Sequence, residues 1–192
     1  MEVLISRLRP YVQGFVWNPS SPNTPALKNL RTKELFKEHA ELIRELAPKQ
    51  MKLVKMWPYD SEERKKFLSL VKAFLDGGGD GVVLTNAYMV TYNWSRKTAG
   101  ISGRFLQDYR KRAVRDVFNA FPEAKIFATG GIFDADDAYQ TFKNGAIALE
   151  GYTPYTFYGL GLLHRLLTGV SKRLKKDGYQ NLEELLFDVR KA

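Results

Sequence analysis

The sequence of 192 residues contains no cysteine, and this absence excludes several classes of protein. Disulfide scaffolds, thiolate metal sites, iron–sulfur clusters and cysteine nucleophiles all require that side chain. No apolar run approaches the roughly 20 residues that a membrane-spanning helix needs. The first ten residues, MEVLISRLRP, are too short and too interrupted to match a signal peptide. Neither the missing cysteine nor the missing apolar run favours a particular compartment.

The chain does carry an excess of positive charge, because 30 lysines and arginines face 21 acidic residues and give a formal charge of +9. The basic residues are spread along the chain, with small clusters at Arg110–Arg112 and Lys172–Lys176. No nucleic-acid motif interleaves aromatic residues with these clusters, so we expect no nucleic-acid partner. We interpret the charge as solvated helix faces, with a contact surface in an assembly as the alternative.

Short aliphatic runs alternate with longer amphipathic segments along the whole chain. Five runs predict strands: Gly14–Trp17, Met51–Met56, Gly81–Leu84, Lys125–Ala128 and Ala146–Leu149. Helical periodicity predicts helices over Lys33–Leu46, Ser61–Leu75, Arg110–Phe121, Ala135–Asn144, Tyr155–Lys176 and Leu182–Val189, with Asp134 as an N-cap. This alternation is typical of a parallel sheet covered by helices, and it predicts one α/β domain over residues 1–192.

Two architectures are compatible with this alternation, an open doubly wound sheet and a (β/α) barrel. Five strands favour the open sheet by count alone. In both architectures ligands bind beyond the carboxyl ends of the strands, so the residues that follow each strand are the candidate site.

The first two strands end in residues whose chemistry suggests function. The segment from Asn18 to Thr24 contains five hydrogen-bonding side chains and two prolines, although an ordinary polar loop has a similar composition. A serine there without a nearby histidine needs water or Thr24 to move a proton. Lys55 interrupts an apolar strand, which is costly unless the lysine meets an anion or reaches solvent past the helices.

Two glycine-rich turns follow later strands. Gly130-Gly131 lies between a strand and a helix, where backbone N–H groups can hold a phosphate, and Gly100–Gly103 forms a second loop on the same side. Tight turns need glycine in any case, and neither loop matches the G-x-G-x-x-G dinucleotide fingerprint. Together the two turns suggest a phosphorylated cofactor.

Read in order, the strand ends form a series of six motifs: Asn18–Thr24, Lys55, Thr85-Asn86, Gly100–Gly103, Gly130–Ile132 and Tyr152-Thr153. The series resembles dihydroorotate dehydrogenase, a family of FMN enzymes of pyrimidine synthesis. Family chains carry N-x-S-S-P-N-T, a strand lysine, T-N-T, G-G-x-S-G, G-G-[IV] and Y-T in this order. The resemblance extends from about Tyr11 to Arg190 and concerns the C-terminal portion of the family chain. It implies an incomplete TIM-type (β/α) barrel of about five βα units.

The resemblance also implies catalytic roles in the oxidation of dihydroorotate to orotate. Ser21 would be the base, Thr24 would assist the proton relay, and Lys55 would place a positive charge beside the flavin. A serine base is typical of the class that passes electrons to quinone. The resemblance leaves the localisation undecided between the cytoplasm and the periphery of the inner membrane. Substrate contacts would come from Asn18, Asn23 and Asn86.

The same resemblance implies an FMN site and no metal. The residues matched to cofactor contacts are Lys55, Thr85, Gly103, Gly130, Gly131, Tyr152 and Thr153. Several positions depart from the family pattern. Ala87 replaces a threonine after Thr-Asn, and Glu150-Gly151 replaces apolar residues before Tyr-Thr. Pro19, Ala99 and the segment Met89–Trp94 are also unusual. An altered substrate or a distant branch of the family would explain these changes.

The predicted strands correspond to the last five of the eight in a complete barrel. We therefore expect a fragment, a half barrel with a new role, or a subunit completed by a second copy or by a partner chain. The alternative to an enzyme is a non-catalytic FMN- or phosphate-binding half barrel, or a structural subunit of a larger assembly.

Overall fold

The computed structural model describes residues 1–21, 24–92 and 97–191 of the chain. Its strands are β1 (Gly14–Trp17), β2 (Met51–Lys55), β3 (Gly81–Leu84), β4 (Tyr88–Tyr92), β5 (Lys97–Ile101), β6 (Lys125–Thr129) and β7 (Ala148–Glu150). Its α-helices are α1 (Glu2–Leu8), α2 (Lys33–Leu46), α3 (Arg64–Asp76), α4 (Gln107–Ala120), α5 (Ala135–Lys143), α6 (Thr153–Tyr158), α7 (Gly161–Lys176) and α8 (Leu182–Lys191). Short 3-10 turns cover Pro25–Leu30, Ser61–Glu63 and Gly103–Leu106.

Five strands pair in parallel in the order β1-β2-β3-β6-β7, and β4 and β5 form a separate antiparallel pair. Within the parallel sheet each strand lies beside the next one along the chain. A doubly wound sheet reverses its order at a switch point, whereas a (β/α) barrel does not. The preference for an open doubly wound sheet, which rested on strand count, is therefore wrong, and the barrel-type α/β fold is confirmed.

The central strands form the core of the molecule because their side chains are apolar on both faces. All four residues of β3 are buried, with Val82 paired to Val54 of β2 and to Ile126 of β6. Phe36 of α2, Phe74 of α3 and Val117 of α4 pack into the same cluster. A continuous apolar run is typical of a strand covered on both sides.

The helix starts agree only in part with the sequence. The Asp134 side chain accepts a hydrogen bond of 2.9 Å from the N–H of Asp137, so this N-cap prediction is confirmed. The segment predicted as one helix over Tyr155–Lys176 is two helices, α6 and α7, because Gly159 adopts a positive φ of 62° between them. The hairpin β4–β5 and helix α1 were not predicted.

Hydropathy along the described helices separates them from membrane spans. Within residues 1–21, 24–92 and 97–191, no helix is both long enough and apolar enough to cross a bilayer.

Gly81 offers a direct test of the sheet register. A Cβ at this position would lie 1.9 Å from the carbonyl oxygen of Lys125 on the neighbouring strand. We expect Gly81→Ala to lower the free energy of unfolding by about 3 kcal/mol, measured by urea denaturation. Gly161→Ala is the matched control, because its Cβ would meet no atom within 4 Å. Equal stability of the two variants would contradict the parallel register of β3 and β6.

Candidate functional site at the carboxyl edge of the sheet

A cavity of about 150 Å³ lies at the edge where the strands of the parallel sheet end. We call it the glycine-turn cavity, because two glycine turns form part of its wall. Its lining comes from the last residues of β2, β6 and β7 and from the segments that follow β3, β5, β6 and β7: Lys55, Thr85, Asn86, Ala87, Ser102, Gly103, Leu106, Thr129, Gly130, Gly131, Ile132, Glu150, Gly151, Tyr152, Thr153 and Pro154. All seven residues matched to cofactor contacts therefore surround one space.

Backbone conformation explains why the turn after β6 uses glycine. Gly130 and Gly131 have φ angles of 97° and 71°, a region that other residues rarely adopt. A Cβ on Gly131 would lie 2.7 Å from the backbone nitrogen of Gln107, at the start of α4. The turn can therefore pack against this helix only without side chains, and its peptide groups are left at the cavity wall.

Thr85 contributes a polar group that has no partner among the described residues. Its side chain is 2% exposed, and its Oγ1 makes no hydrogen bond there. Buried hydroxyls are normally hydrogen-bonded, so an unpaired one at a cavity wall indicates room for a polar ligand atom. Ser102 and Thr153, on the same wall, bond to each other through their hydroxyls at 3.0 Å.

Lys55 forms an ion pair across the glycine-turn cavity. Its Nζ lies 3.6 Å from Oε2 of Glu150, and the two side chains are 26% and 40% exposed. The anion that the strand lysine requires is thus supplied by the chain itself. Glu150 is one of the departures from the family pattern, and its pairing with Lys55 was not foreseen because the two residues are 95 positions apart.

Asn18 and Asn86 meet through Ser20, whose side chain is only 2% exposed. The Ser20 hydroxyl donates to Oδ1 of Asn18 at 2.8 Å and accepts from Nδ2 of Asn86 at 2.9 Å. Asn86 also lies 3.3 Å from Oδ1 of Asn18. This cluster joins the loop after β1 to the loop after β3, and sequence reasoning had singled out the two asparagines but not Ser20.

Ser21 and Thr24 line a second cavity of about 170 Å³, which we call the serine cavity. Its other lining residues are Ser20, Lys28, Arg31, Trp57, Pro58, Asp60, Glu63, Ala87, Tyr88 and Met89. Ala87 borders both cavities, whereas Ser21 and Lys55 line different ones. The structure therefore brings Ser21 to Thr24 but does not bring it into one cavity with Lys55. Asn23 lies outside the described residues.

Aromatic and charged side chains form the far wall of the serine cavity. The Arg31 guanidinium lies 3.8 Å from the centroid of the Trp57 ring, and burial lowers its pKa. Asp60 accepts hydrogen bonds from the hydroxyls of Tyr88 at 3.1 Å and Tyr109 at 3.2 Å. Burial, with the neighbouring Tyr88 and Asp60, raises the pKa of Tyr109 to about 12. Asp60 thus links Tyr88, at the start of β4, to Tyr109 of α4.

Arg110 differs from the solvated basic face that its sequence cluster suggested. The side chain is 0% exposed, and its Nη1 donates to the carbonyl oxygen of Gly130 at 2.8 Å. Burial lowers the pKa of Arg110 to about 10, opposed by the carboxylates of Asp137, Asp134 and Asp108. The interpretation of Arg110 as a surface charge is thus wrong, since α4 turns this residue toward the glycine turn.

Within the part of the chain that the structure describes, no group of three or more acidic or histidine residues is arranged to hold a metal ion.

Comparison with known proteins gives one consistent family. A family model described as dihydroorotate dehydrogenase matches residues 2–174. The dihydroorotate dehydrogenase (quinone) of Nautilia profundicola is 33% identical over 189 residues, which is 96% of this chain and 52% of that protein. The corresponding protein of a Nitratiruptor species is 32% identical and is covered over 54% of its length. The chain spans about half the length of the curated relatives that it matches.

Solved structures agree on the fold. The crystal structure of DHODH from Eimeria tenella in complex with ferulenol superimposes with a TM-score of 0.87 at 22% sequence identity. The match covers 96% of this chain and 56% of that one. A ligand-free structure from the same organism gives a TM-score of 0.82 at 24% identity. At these identities the likeness concerns the fold alone.

Ser20→Ala tests whether the cluster of Asn18, Ser20 and Asn86 holds the site together. Removing a buried hydroxyl that makes two hydrogen bonds is expected to lower the free energy of unfolding by about 1–2 kcal/mol. Chemical denaturation measures the change. Ser69→Ala is the control, because the Ser69 hydroxyl is exposed and bonds only to the Lys66 carbonyl one turn earlier in its own helix. A loss no larger than that of the control would contradict a bridging role for Ser20.

Proposed function

The chain belongs to the dihydroorotate dehydrogenase family, and from this premise we propose that it forms the FMN-binding and proton-transfer half of an enzyme that oxidises dihydroorotate to orotate. The observation that carries the proposal is the glycine-turn cavity, where the carboxyl ends of five strands meet around one space. In barrels of this type phosphate sites lie in the loops after the last strands. Quinone is the electron acceptor that the names of the relatives suggest.

The FMN phosphate is the part of the cofactor that the glycine-turn cavity accommodates best. Peptide groups at Gly103, Gly130 and Gly131 and the hydroxyl of Thr153 offer donors, and Thr85 offers an unpaired hydroxyl within the described structure. A volume of about 150 Å³ is smaller than the ~300–1,000 Å³ of most sites for whole small molecules. The flavin ring therefore requires additional walls beyond this cavity.

The proton and substrate roles fall to residues of the two loops after β1 and β3. Ser21 would accept the proton from C5 of dihydroorotate, and Thr24 would pass it toward solvent. The side chains of Asn18 and Asn86, already close through Ser20, would bind polar groups of the substrate together with Asn23. FMN, when bound, would supply the hydride acceptor.

The two edge strands of the parallel sheet indicate that another chain completes the barrel. Within the described residues β1 and β7 each have a single neighbouring strand. An apolar cavity of about 370 Å³ lies beside β7, with Leu149, Leu166 and Val170 among its lining residues. Unpaired strand edges and apolar surface promote association, so we propose that a second copy or a partner chain covers this side.

A non-catalytic FMN-binding protein is the second candidate. It is favoured by two observations: Ser21 and Lys55 line different cavities, and the charge of Lys55 is paired with Glu150. In this alternative the glycine-turn cavity still binds the FMN phosphate, while Ser21, in the serine cavity, does not act as a base beside the flavin.

Absorbance of the purified protein separates these functions. We expect flavin bands after incubation with FMN, and bleaching of these bands when dihydroorotate is added without oxygen. Ser21→Ala should keep the bands and lose at least about 100-fold in bleaching rate, because a general base contributes on the order of 10²–10⁴. Ser69→Ala should behave as the unmodified protein. A coloured protein that dihydroorotate does not bleach supports the non-catalytic alternative. A protein that takes up no FMN even in excess contradicts both functions for this chain by itself.

Glu150→Gln tests the charge beside the flavin separately from activity. Removing the carboxylate leaves Lys55 unpaired, which should favour the added electrons on bound FMN and raise its reduction potential by on the order of 30 mV. Spectroelectrochemical titration of the FMN-loaded protein measures this potential. Glu41→Gln is the control, since that carboxylate pairs with Lys37 on the surface of α2 at 3.9 Å. An unchanged potential would mean that Lys55 and Glu150 lie away from the flavin ring.

A further inference from the structure

Arg110 is a fully buried cation with a single hydrogen bond among the described residues. Its Nη1 donates to the carbonyl oxygen of Gly130 at 2.8 Å, while its Nε and Nη2 have no partner there. A buried charge is unfavourable unless it is well paired. No step of the proposed reaction uses this side chain, so its position calls for a separate explanation.

The carboxylates near Arg110 offset its charge only in part. Among these carboxylates Asp137 has the largest effect on the pKa of Arg110. Its own oxygens, however, already accept hydrogen bonds from the side-chain amide of Gln107 and from the N–H of Phe133 at 3.2 Å. Asp134 caps helix α5 through the N–H of Asp137. With a pKa of about 10, Arg110 stays protonated at neutral pH, directly behind the glycine turn.

Peptide geometry connects Arg110 to the glycine-turn cavity. In a trans peptide the carbonyl and the following N–H point in opposite directions. The only cis peptide bond among the described residues is Leu84–Thr85, so the peptide between Gly130 and Gly131 is trans. Because Arg110 holds the Gly130 carbonyl on the α4 side, the N–H of Gly131 is directed away from α4. Gly131 lines the cavity, and its φ of 71° allows this orientation.

We propose that Arg110 is a positioning residue for the phosphate group of FMN. It fixes the peptide whose N–H donates to the phosphate, and it adds a buried positive charge behind that donor. The inference rests on the proposed function, since it presumes that the glycine-turn cavity binds the phosphate end of the cofactor. An anion on the Gly131 N–H would lie about 8 Å from the guanidinium, through protein rather than solvent. At that distance the positive charge of Arg110 still attracts the phosphate dianion of FMN.

Comparison of FMN with riboflavin isolates the phosphate contribution, because riboflavin lacks only that group. Dissociation constants for both flavins are measured at pH 8 by fluorescence titration of the full chain. We expect Arg110→Met to weaken FMN binding about tenfold, equivalent to about 1.4 kcal/mol, and to leave riboflavin binding unchanged. Replacing a buried ion by an apolar side chain of similar volume is often tolerated by the fold.

Two further variants control the experiment. Arg112→Met removes the same charge from the same helix and breaks a similar bond of 2.8 Å to the Tyr59 carbonyl, but away from the cavity, so FMN binding should not change. Arg110→Gln keeps a donor and loses the charge, so it should weaken FMN binding by about threefold without affecting riboflavin. It also serves if Arg110→Met does not fold.

Each alternative outcome contradicts a distinct statement. If the unmodified chain binds FMN no better than riboflavin, the phosphate cradle is wrong and the role of Arg110 is wrong with it. If the chain prefers FMN and the Arg110 variants keep that preference, only the role of Arg110 is wrong. Equal weakening of both flavins would mean that Arg110 supports the fold and does not act on the phosphate.

Discussion

The parallel pairing of five short strands is the constraint on which every proposed contact depends. Parallel strands end at one edge, so the loops after β1, β2, β3, β6 and β7 meet there although they are distant along the chain. The pairing is held by the buried residues of β3 and its neighbours, with Gly81 passing close to the Lys125 carbonyl. A shift of one residue in this register would move Lys55, Thr85 and Gly130 apart.

Charge at the site is arranged by specific pairs and not by the overall excess of +9. Lys55 meets Glu150 inside the glycine-turn cavity, and Arg110 lies behind the turn at Gly130. In the C-terminal basic segment, by contrast, Lys172, Lys175 and Lys176 are exposed, and Arg173 pairs with Asp136 of α5. The solvated-face interpretation therefore holds for that segment and fails for Arg110. Most of the net charge belongs to the surface, while Lys55 lines the glycine-turn cavity, Arg31 lines the serine cavity and Arg110 is buried behind the glycine turn.

Sequence reasoning located the parallel strands and the main helices, because apolar runs and helical periodicity are local properties. The hairpin β4–β5 was not found, since its residues include glycine and threonine and carry no clear alternation. Ser20 was not singled out beside Ser21, because its bond to Asn86 forms only when the loop after β1 meets the loop after β3. The pairing of Lys55 with Glu150, the burial of Arg110 and the separation of the two cavities all arise from tertiary packing. These features could not be predicted from the spacing of residues along the sequence.

The central claim is that the glycine-turn cavity takes the phosphate end of FMN. Amide NMR of the isotope-labelled chain, titrated with FMN, tests it most directly. The account predicts that the largest chemical-shift changes occur at the backbone N–H groups of Gly103, Gly130, Gly131 and Thr153, and that riboflavin produces much smaller changes at these amides. Changes centred on residues of the serine cavity or on distant helices, or the same changes with riboflavin, would contradict it.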